Sequence, residues 1–215
     1  MQLNPLSLLS FFNRRGESPR LSAARARFDT RWSAELLKQL EWRRFEELCV
    51  AYYQALGFTT RVTKANAESG VDILLHAQGA EAASSIARCK AWDAYRIGVK
   101  PVHELRSAMA AAGVGEAVLL TSGRFTQAAV ELAAKEHIEL VDGSVLLDKL
   151  AALPPEKALG LLKFATQGDF LTPTCPCCSI KMMSRQSTQG GRKFWGCRNY
   201  PQCKETFSGS AYAPA

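Results

Sequence analysis

Between Ser33 and Gly57 the apolar residues fall at helical spacing in two pieces. Leu36, Leu37 and Leu40 make a short face behind Ser33, a favourable N-cap. From Trp42 the stripe continues through Phe45, Leu48, Cys49, Tyr52 and Leu56, and Gly57 closes it as a C-cap glycine does. Residues 58–63 switch to β-branched and aromatic side chains, which predicts a strand. A polar connection leads to two further short strands, 71–77 and 85–91. Pro101 opens a helix to about residue 112, with Val102, Leu105 and Met109 on one face. An apolar strand at 116–121, a helix at 125–136, a strand at 137–141 and a helix at 144–152 complete the run. The order α-β-β-β-α-β-α-β-α predicts an α/β fold, a mixed sheet flanked by helices, over residues 33–152. Residues 1–32 read as a loosely ordered leader. The Pro154-Pro155 pair marks a break, residues 153–170 a linker with a short helix at 156–164, 171–208 a second module and 209–215 a tail.

Composition adds little to the first part and much to the second. Apolar residues make up 47% of the 215, enough for a real core. The net charge is +7, and it is uneven. Residues 171–215 hold Lys181, Arg185, Arg192, Lys193, Arg198 and Lys204 against Glu205 alone. A small, strongly basic module points to a polyanion, most simply nucleic acid. The N-terminal apolar run lacks a basic segment before it and is far shorter than the ~20 residues of a membrane span. We therefore expect a cytoplasmic chain with no membrane association.

Of seven cysteines, five lie between Cys175 and Cys203. Cys175 and Cys178 form a C-x₂-C pair, followed after eighteen residues by Cys197 and Cys203. Two thiolate knuckles at this separation suit tetrahedral Zn²⁺. A module of this size builds too little core to fold unaided, so the metal would supply much of its folding free energy. Cys177 is the spare, and an alternative ligand to Cys178. Arg192, Lys193, Trp195 and Arg198 interleave cations with an aromatic ring, a composition that tracks phosphates and stacks on unpaired bases. Phe194 and Tyr200 are assigned to the small core, and Trp195 stays open between stacking on bases and packing around the metal.

In the first module, Asp72 opens one central strand and Lys90 closes the next. Side by side, they would project into one cleft. A carboxylate there can hold a hard cation such as Mg²⁺ or Mn²⁺, and an ammonium can orient a water or steady developing charge. Glu46 lies 100° around the helix from Phe45, at the edge of the buried stripe. It is either a carboxylate reaching that cleft or a solvated one beside a core face. The turn Ser122-Gly123-Arg124 and Lys100 are weaker candidates for DNA contact. His76, His103 and His137 have no partner at ligand spacing.

Two resemblances sharpen this reading. Cys175-Pro176-x-Cys178, Gly191-x-Lys193-Phe194-x-Gly196-Cys197 and Asn199-Tyr200-Pro201-x-Cys203 resemble the C4 zinc ribbon of bacterial type I DNA topoisomerases. That implies a nucleic-acid-binding accessory module. Trp42-x-x-Phe45-Glu46-x-Leu48, Gly70-Val71-Asp72-Ile73-Leu74, Cys89-Lys90 and the segment from Val118 to Ala129 resemble the Mrr-like restriction endonucleases, which have the PD-(D/E)xK nuclease fold. By that resemblance Asp72 and the backbone carbonyl of Cys89 hold the metal, Lys90 is catalytic, and Glu46 holds a metal-bound water. Where the family has Glu or Gln, two positions before the lysine, this chain has Arg88. An arginine offers only donors. It is suited to binding the scissile phosphate, or it marks a site that has lost activity. The expectation is a metal-dependent DNA endonuclease of restriction type, a homodimer if it cuts both strands. The alternatives are a nuclease-fold protein that grips DNA without cutting it and a repair or recombination factor.

Overall fold

The Ser33 hydroxyl accepts from the Leu36 amide at 3.1 Å and starts a six-residue helix, α2 (Ala34–Gln39). The longer stripe forms α3 (Trp42–Ala55), whose buried side includes Phe45, Leu48, Cys49 and Tyr52. The sheet follows: β1 (Thr59–Asn66), β2 (Gly70–His76) and β3 (Ser85–Lys90), then α4 (Val99–Ala112), β4 (Ala117–Thr121), α5 (Gln127–Lys135), β5 (Ile138–Val141) and α6 (Gly143–Ala151). This computed structural model describes residues 18–28, 30–66, 70–91, 96–188 and 190–207. The expected leader up to residue 17 and the tail 209–215 lie outside the described residues. Among the described residues, no helix is long and apolar enough to cross a membrane.

The five strands lie in the order β1-β2-β3-β4-β5. The first two pairings are antiparallel, and β3-β4 and β4-β5 are parallel, so the sheet is mixed. Side chains alternate between two cores. Val71, Ile73, Leu75, Ala87, Cys89 and Leu120 face the larger one, with α2, α3 and α6. Ile86, Ala117 and Leu119 face the smaller one, under α4 and α5. Gly70 permits a close approach of β2 to β3. Its φ is +81°, and a Cβ there would lie 2.2 Å from the Cys89 carbonyl oxygen.

The leader, expected to be loosely ordered, is built into the core, and the short helix expected in the linker is present and packs there too. Pro19–Phe28 forms a helix, α1, that buries Leu21 and Phe28. Pro155–Ala165 forms α7, which buries Leu161, Leu162 and Ala165. They hold each other: the Arg25 guanidinium donates to the carbonyls of Thr166 and Gly168. Arg44 of α3 donates to the Phe164 carbonyl at 2.8 Å. The stretch read as a linker is therefore a packed helix.

The second module is a three-stranded antiparallel sheet, β6 (Met183–Gln186), β7 (Lys193–Gly196) and β8 (Thr206–Phe207). It does not hang free. Glu41, the N-cap of α3, is 2% exposed. Its carboxylate accepts from the Thr174 amide and hydroxyl at 3.1 and 3.0 Å, and from Lys181 Nζ at 3.0 Å. The Trp42 indole donates to the Thr174 carbonyl at 2.8 Å.

Candidate active site and zinc centre

The pairing of β2 with β3 sets Asp72 directly opposite Arg88. Alternation then puts Asp72, Arg88 and Lys90 on the face that carries Ile86, towards α4. All three are buried, at 5, 3 and 8% exposure. Arg88 grips Asp72 bidentately: Nε donates to Oδ1 at 2.6 Å and Nη2 to Oδ2 at 2.8 Å. Its remaining nitrogen, Nη1, lies 3.4 Å from Oε2 of Glu104 on α4. Fork-to-fork pairs of this kind are short and strong because both partners are charged.

Glu46 is delivered from the other side. It belongs to α3, which packs on the face of Cys89 and Ala87, and it is 6% exposed. Burial, reinforced by Glu41, pushes its carboxyl up to about 9, so it is neutral at pH 7. The sequence placed Glu46 at the margin of the buried stripe. The helix docks deeply enough to take it fully inside. The thiol of Cys89 is buried beside Cys49 and is held well up by that burial. The Cys89 carbonyl, the expected backbone ligand, lies against Gly70.

A divalent cation of the Mg²⁺ type needs free oxygen ligands. Both oxygens of Asp72 are committed to a guanidinium. Among the described residues, the only group of three or more His, Cys, Asp or Glu ligand atoms gathered around one point is a set of cysteines. The residues at Asp72, as held here, do not fit a divalent ion. What they form is a buried charged cluster in which Arg88 is paired with Asp72 and Glu104, with Lys90 on the same face.

The zinc centre does fit. Sγ atoms of Cys175, Cys178, Cys197 and Cys203 all lie within 4.8 Å of one another, with Cys175 and Cys203 at 3.7 Å. A tetrahedron with arms of ~2.3 Å has edges of about 3.8 Å. The Cys178 and Asn199 amides donate to Sγ of Cys175 and Cys197, which stabilises thiolates in both knuckles. Cys177 stands outside the cluster, exposed, with its thiol on Glu205.

The core aromatic at the centre is Trp195 and not Tyr200, while Phe194 is half-buried. Trp195 is 7% exposed and packs with Cys175, Met182 and Cys197, whereas Tyr200 is 60% exposed. β7 pairs Trp195 with Phe207, which turns the indole inward. Tyr200 sits in the turn after Cys197, with the Arg185 guanidinium 5.3 Å from its ring centre. Arg192, Lys193 and Arg198 are exposed.

Three residues that matter here escaped the sequence reading. Glu41 joins the modules, Glu104 touches Arg88, and Arg96 lines a recess at the sheet edge. None stands in a motif. Only a strong N-cap rule for Glu41 would have flagged one of them, and glutamate is not a preferred cap.

Residues 172–209 match the topoisomerase DNA binding C4 zinc finger family. Among solved structures, the chain is similar to the DNA modification-dependent restriction endonuclease AspBHI, at 17% identity and a TM-score of 0.42, covering 73% of this chain and 43% of that one. It is also similar to the MspJI restriction endonuclease in complex with a 27-mer oligonucleotide, at 15% identity and a TM-score of 0.38, covering 73% and 37%. The chain thus spans less than half the length of either. No curated protein matches it. Residues 37–150, more than half of the chain, match the restriction endonuclease family, and the chain belongs to it.

Proposed function

We propose that this chain is a DNA endonuclease of restriction type, in which the zinc ribbon holds DNA against the sheet edge and the Asp72–Arg88–Lys90 set handles the phosphodiester. The observation that carries this reading is the buried, in-register set itself, on adjacent strands of a restriction-endonuclease-family domain. Lys90 lies on the same face as the Arg88 fork, and that fork can engage a phosphate bidentately once it leaves the Asp72 carboxylate it now holds. Lys90 is the group we assign to steady charge on the reacting oxygens. The ribbon adds exposed Arg192, Lys193 and Arg198, and its attachment through Glu41 keeps it in one orientation. Cutting both strands of a duplex calls for two sites, which a pair of chains would supply.

One observation favours a second reading. The Asp72 carboxylate is saturated by Arg88, which suits a protein that grips DNA with its cutting site shut. Plasmid nicking in Mg²⁺ and Mn²⁺, with DNA binding measured in parallel, separates the two. Cleavage by wild type that is lost in Lys90→Ala while binding persists supports the endonuclease. Binding without cleavage under every metal condition supports the second reading. Cleavage undiminished in both Lys90→Ala and Asp72→Ala would remove the site from either account. Methylated and unmethylated plasmids in the same assay test the restriction role, and branched or single-stranded DNA tests a repair role.

A further inference from the structure

The parallel strands β3, β4 and β5 end on one edge of the sheet. In open α/β sheets, ligands settle outside the carboxyl ends of such strands. Lys90 pairs with Thr121, the last residue of β4. One residue further on, Ser122 opens a recess of about 300 Å³, whose lining includes Gly143, Asp142 and three cations, Lys38, Arg96 and Arg124. Backbone hydrogen bonds put the two arginines together. The Ile97 amide donates to the Arg124 carbonyl at 2.7 Å, the Thr126 amide donates to the Ile97 carbonyl at 2.9 Å, and Ile97 bridges to Phe125 in parallel. Lys38 comes from α2 on the far wall.

The floor is close-packed, since a Cβ on Gly143 would lie 2.7 Å from the Ser122 carbonyl oxygen. The one acid in the lining is already used. Asp142 Oδ1 accepts from the amides of Ser144 and Val145 and from the Ser144 hydroxyl, capping α6. Among the described residues, Lys38, Arg96 and Arg124 make no direct ion pair, although the Arg124 charge lies near enough to help hold the Asp142 carboxyl low. The recess is thus a preformed, net-positive hollow one residue beyond the Lys90–Thr121 pair.

We infer that this recess is a second phosphate site, taking a backbone phosphate of the DNA strand that passes Lys90. The inference rests on the DNA reading proposed above. Its chemistry is shared by an internal phosphodiester and a terminal phosphate monoester.

The experiment uses the full, zinc-loaded chain and fluorescence anisotropy with a labelled duplex, titrated at several salt concentrations. A cation that neutralises a phosphate contributes about 0.9 to the slope of log K against log salt. Because the recess neutralises one phosphate, the triple variant is expected to flatten the slope by about 0.9 in all, and Arg96→Gln, Arg124→Gln and Lys38→Gln each by a part of that. Arg96→Lys and Arg124→Lys, which keep the charge, should leave it unchanged. Lys135→Gln, an exposed cation outside the recess, should cost affinity little. Effects equal on 5′-phosphorylated and 5′-hydroxyl duplexes identify an internal phosphate, and effects confined to the phosphorylated end identify a terminal one; both support the site. An unchanged slope in the triple variant, with wild type binding DNA in a salt-dependent way, overturns the recess alone. Wild type that shows no salt-dependent DNA binding overturns the DNA reading and this inference with it.

Discussion

Arg88→Gln is the substitution with the most to say about this site. In the wild type the side chains of Asp72 and Arg88 are 7 and 4% exposed and joined by two hydrogen bonds of 2.6 and 2.8 Å. Removing one partner of a buried ion pair strands the other, at a cost of about 3–5 kcal/mol. For a chain of this length each kcal/mol moves Tm by roughly 2–4 °C, so the metal-free variant should melt roughly 6–20 °C lower. The same change frees two carboxylate oxygens and adds an amide oxygen opposite them. A divalent ion can then replace the lost cation. At a hundred times its Kd it would return about 2.7 kcal/mol, or roughly 5–11 °C. Thermal melting with and without Mn²⁺, backed by titration calorimetry, reads both effects. Wild type should respond little to Mn²⁺, R88Q should recover, and the R88Q/D72N double variant should not. Equal Mn²⁺ stabilisation of wild type and R88Q would show that the guanidinium is no obstacle to the metal, and the reasoning would fail.

The other predictions concern the frame around the site. Glu46 is neutral in the folded chain up to about pH 9 but ionises near 4.5 when unfolded. Between those values the native state holds one proton more, so stability falls as pH rises, by about 1.4 kcal/mol per unit. Glu46→Gln should flatten urea-unfolding stability across pH 5.5–8.5, and an identical slope in the variant would count against the buried acid. Gly70→Ala combines a φ of +81° with a contact of 2.2 Å to the Cys89 carbonyl. It should part β2 from β3 and lower soluble yield or Tm far more than Gly79→Ala, whose surroundings are open. Stripping zinc with a strong chelator should unfold the ribbon and abolish its share of DNA binding, while the far-UV signal of the α/β domain persists. Glu41→Gln keeps an acceptor for Thr174 but loses the charge facing Lys181. It should loosen the ribbon from α3, read as faster proteolysis of intact protein between residues 166 and 174.

What the sequence could reveal tracks the range of the forces involved. Val71, Ile73, Leu74 and Leu75 form a short apolar run because β2 has a core on each face, and such a run is visible in any window of a few residues. The four cysteines were legible for a related reason: metal geometry fixes ligand spacing locally within each knuckle. The Asp72–Arg88 grip was not. It depends on the register of β2 against β3, set by the 77–84 connection, and a slip of one residue would have turned Arg88 to the other face. Tyr200 was placed in the core and Trp195 left open because either ring has the right size for it, and the pairing of β7 with β8, which sets Trp195 opposite Phe207, is not legible locally. The packing of the leader and of the linker helix stayed hidden for a third cause. α1 buries only Leu21 and Phe28, too few to form a visible stripe, and its place is secured by Arg25 bonding carbonyls some 140 residues away. The same long-range logic governs the ribbon. One buried glutamate caps the helix that carries Glu46, accepts from Thr174 and pairs with Lys181. DNA bound by the ribbon, as proposed, would be held in register with α3 and the sheet, so a change at Glu41 should shift where the chain engages DNA as well as how tightly.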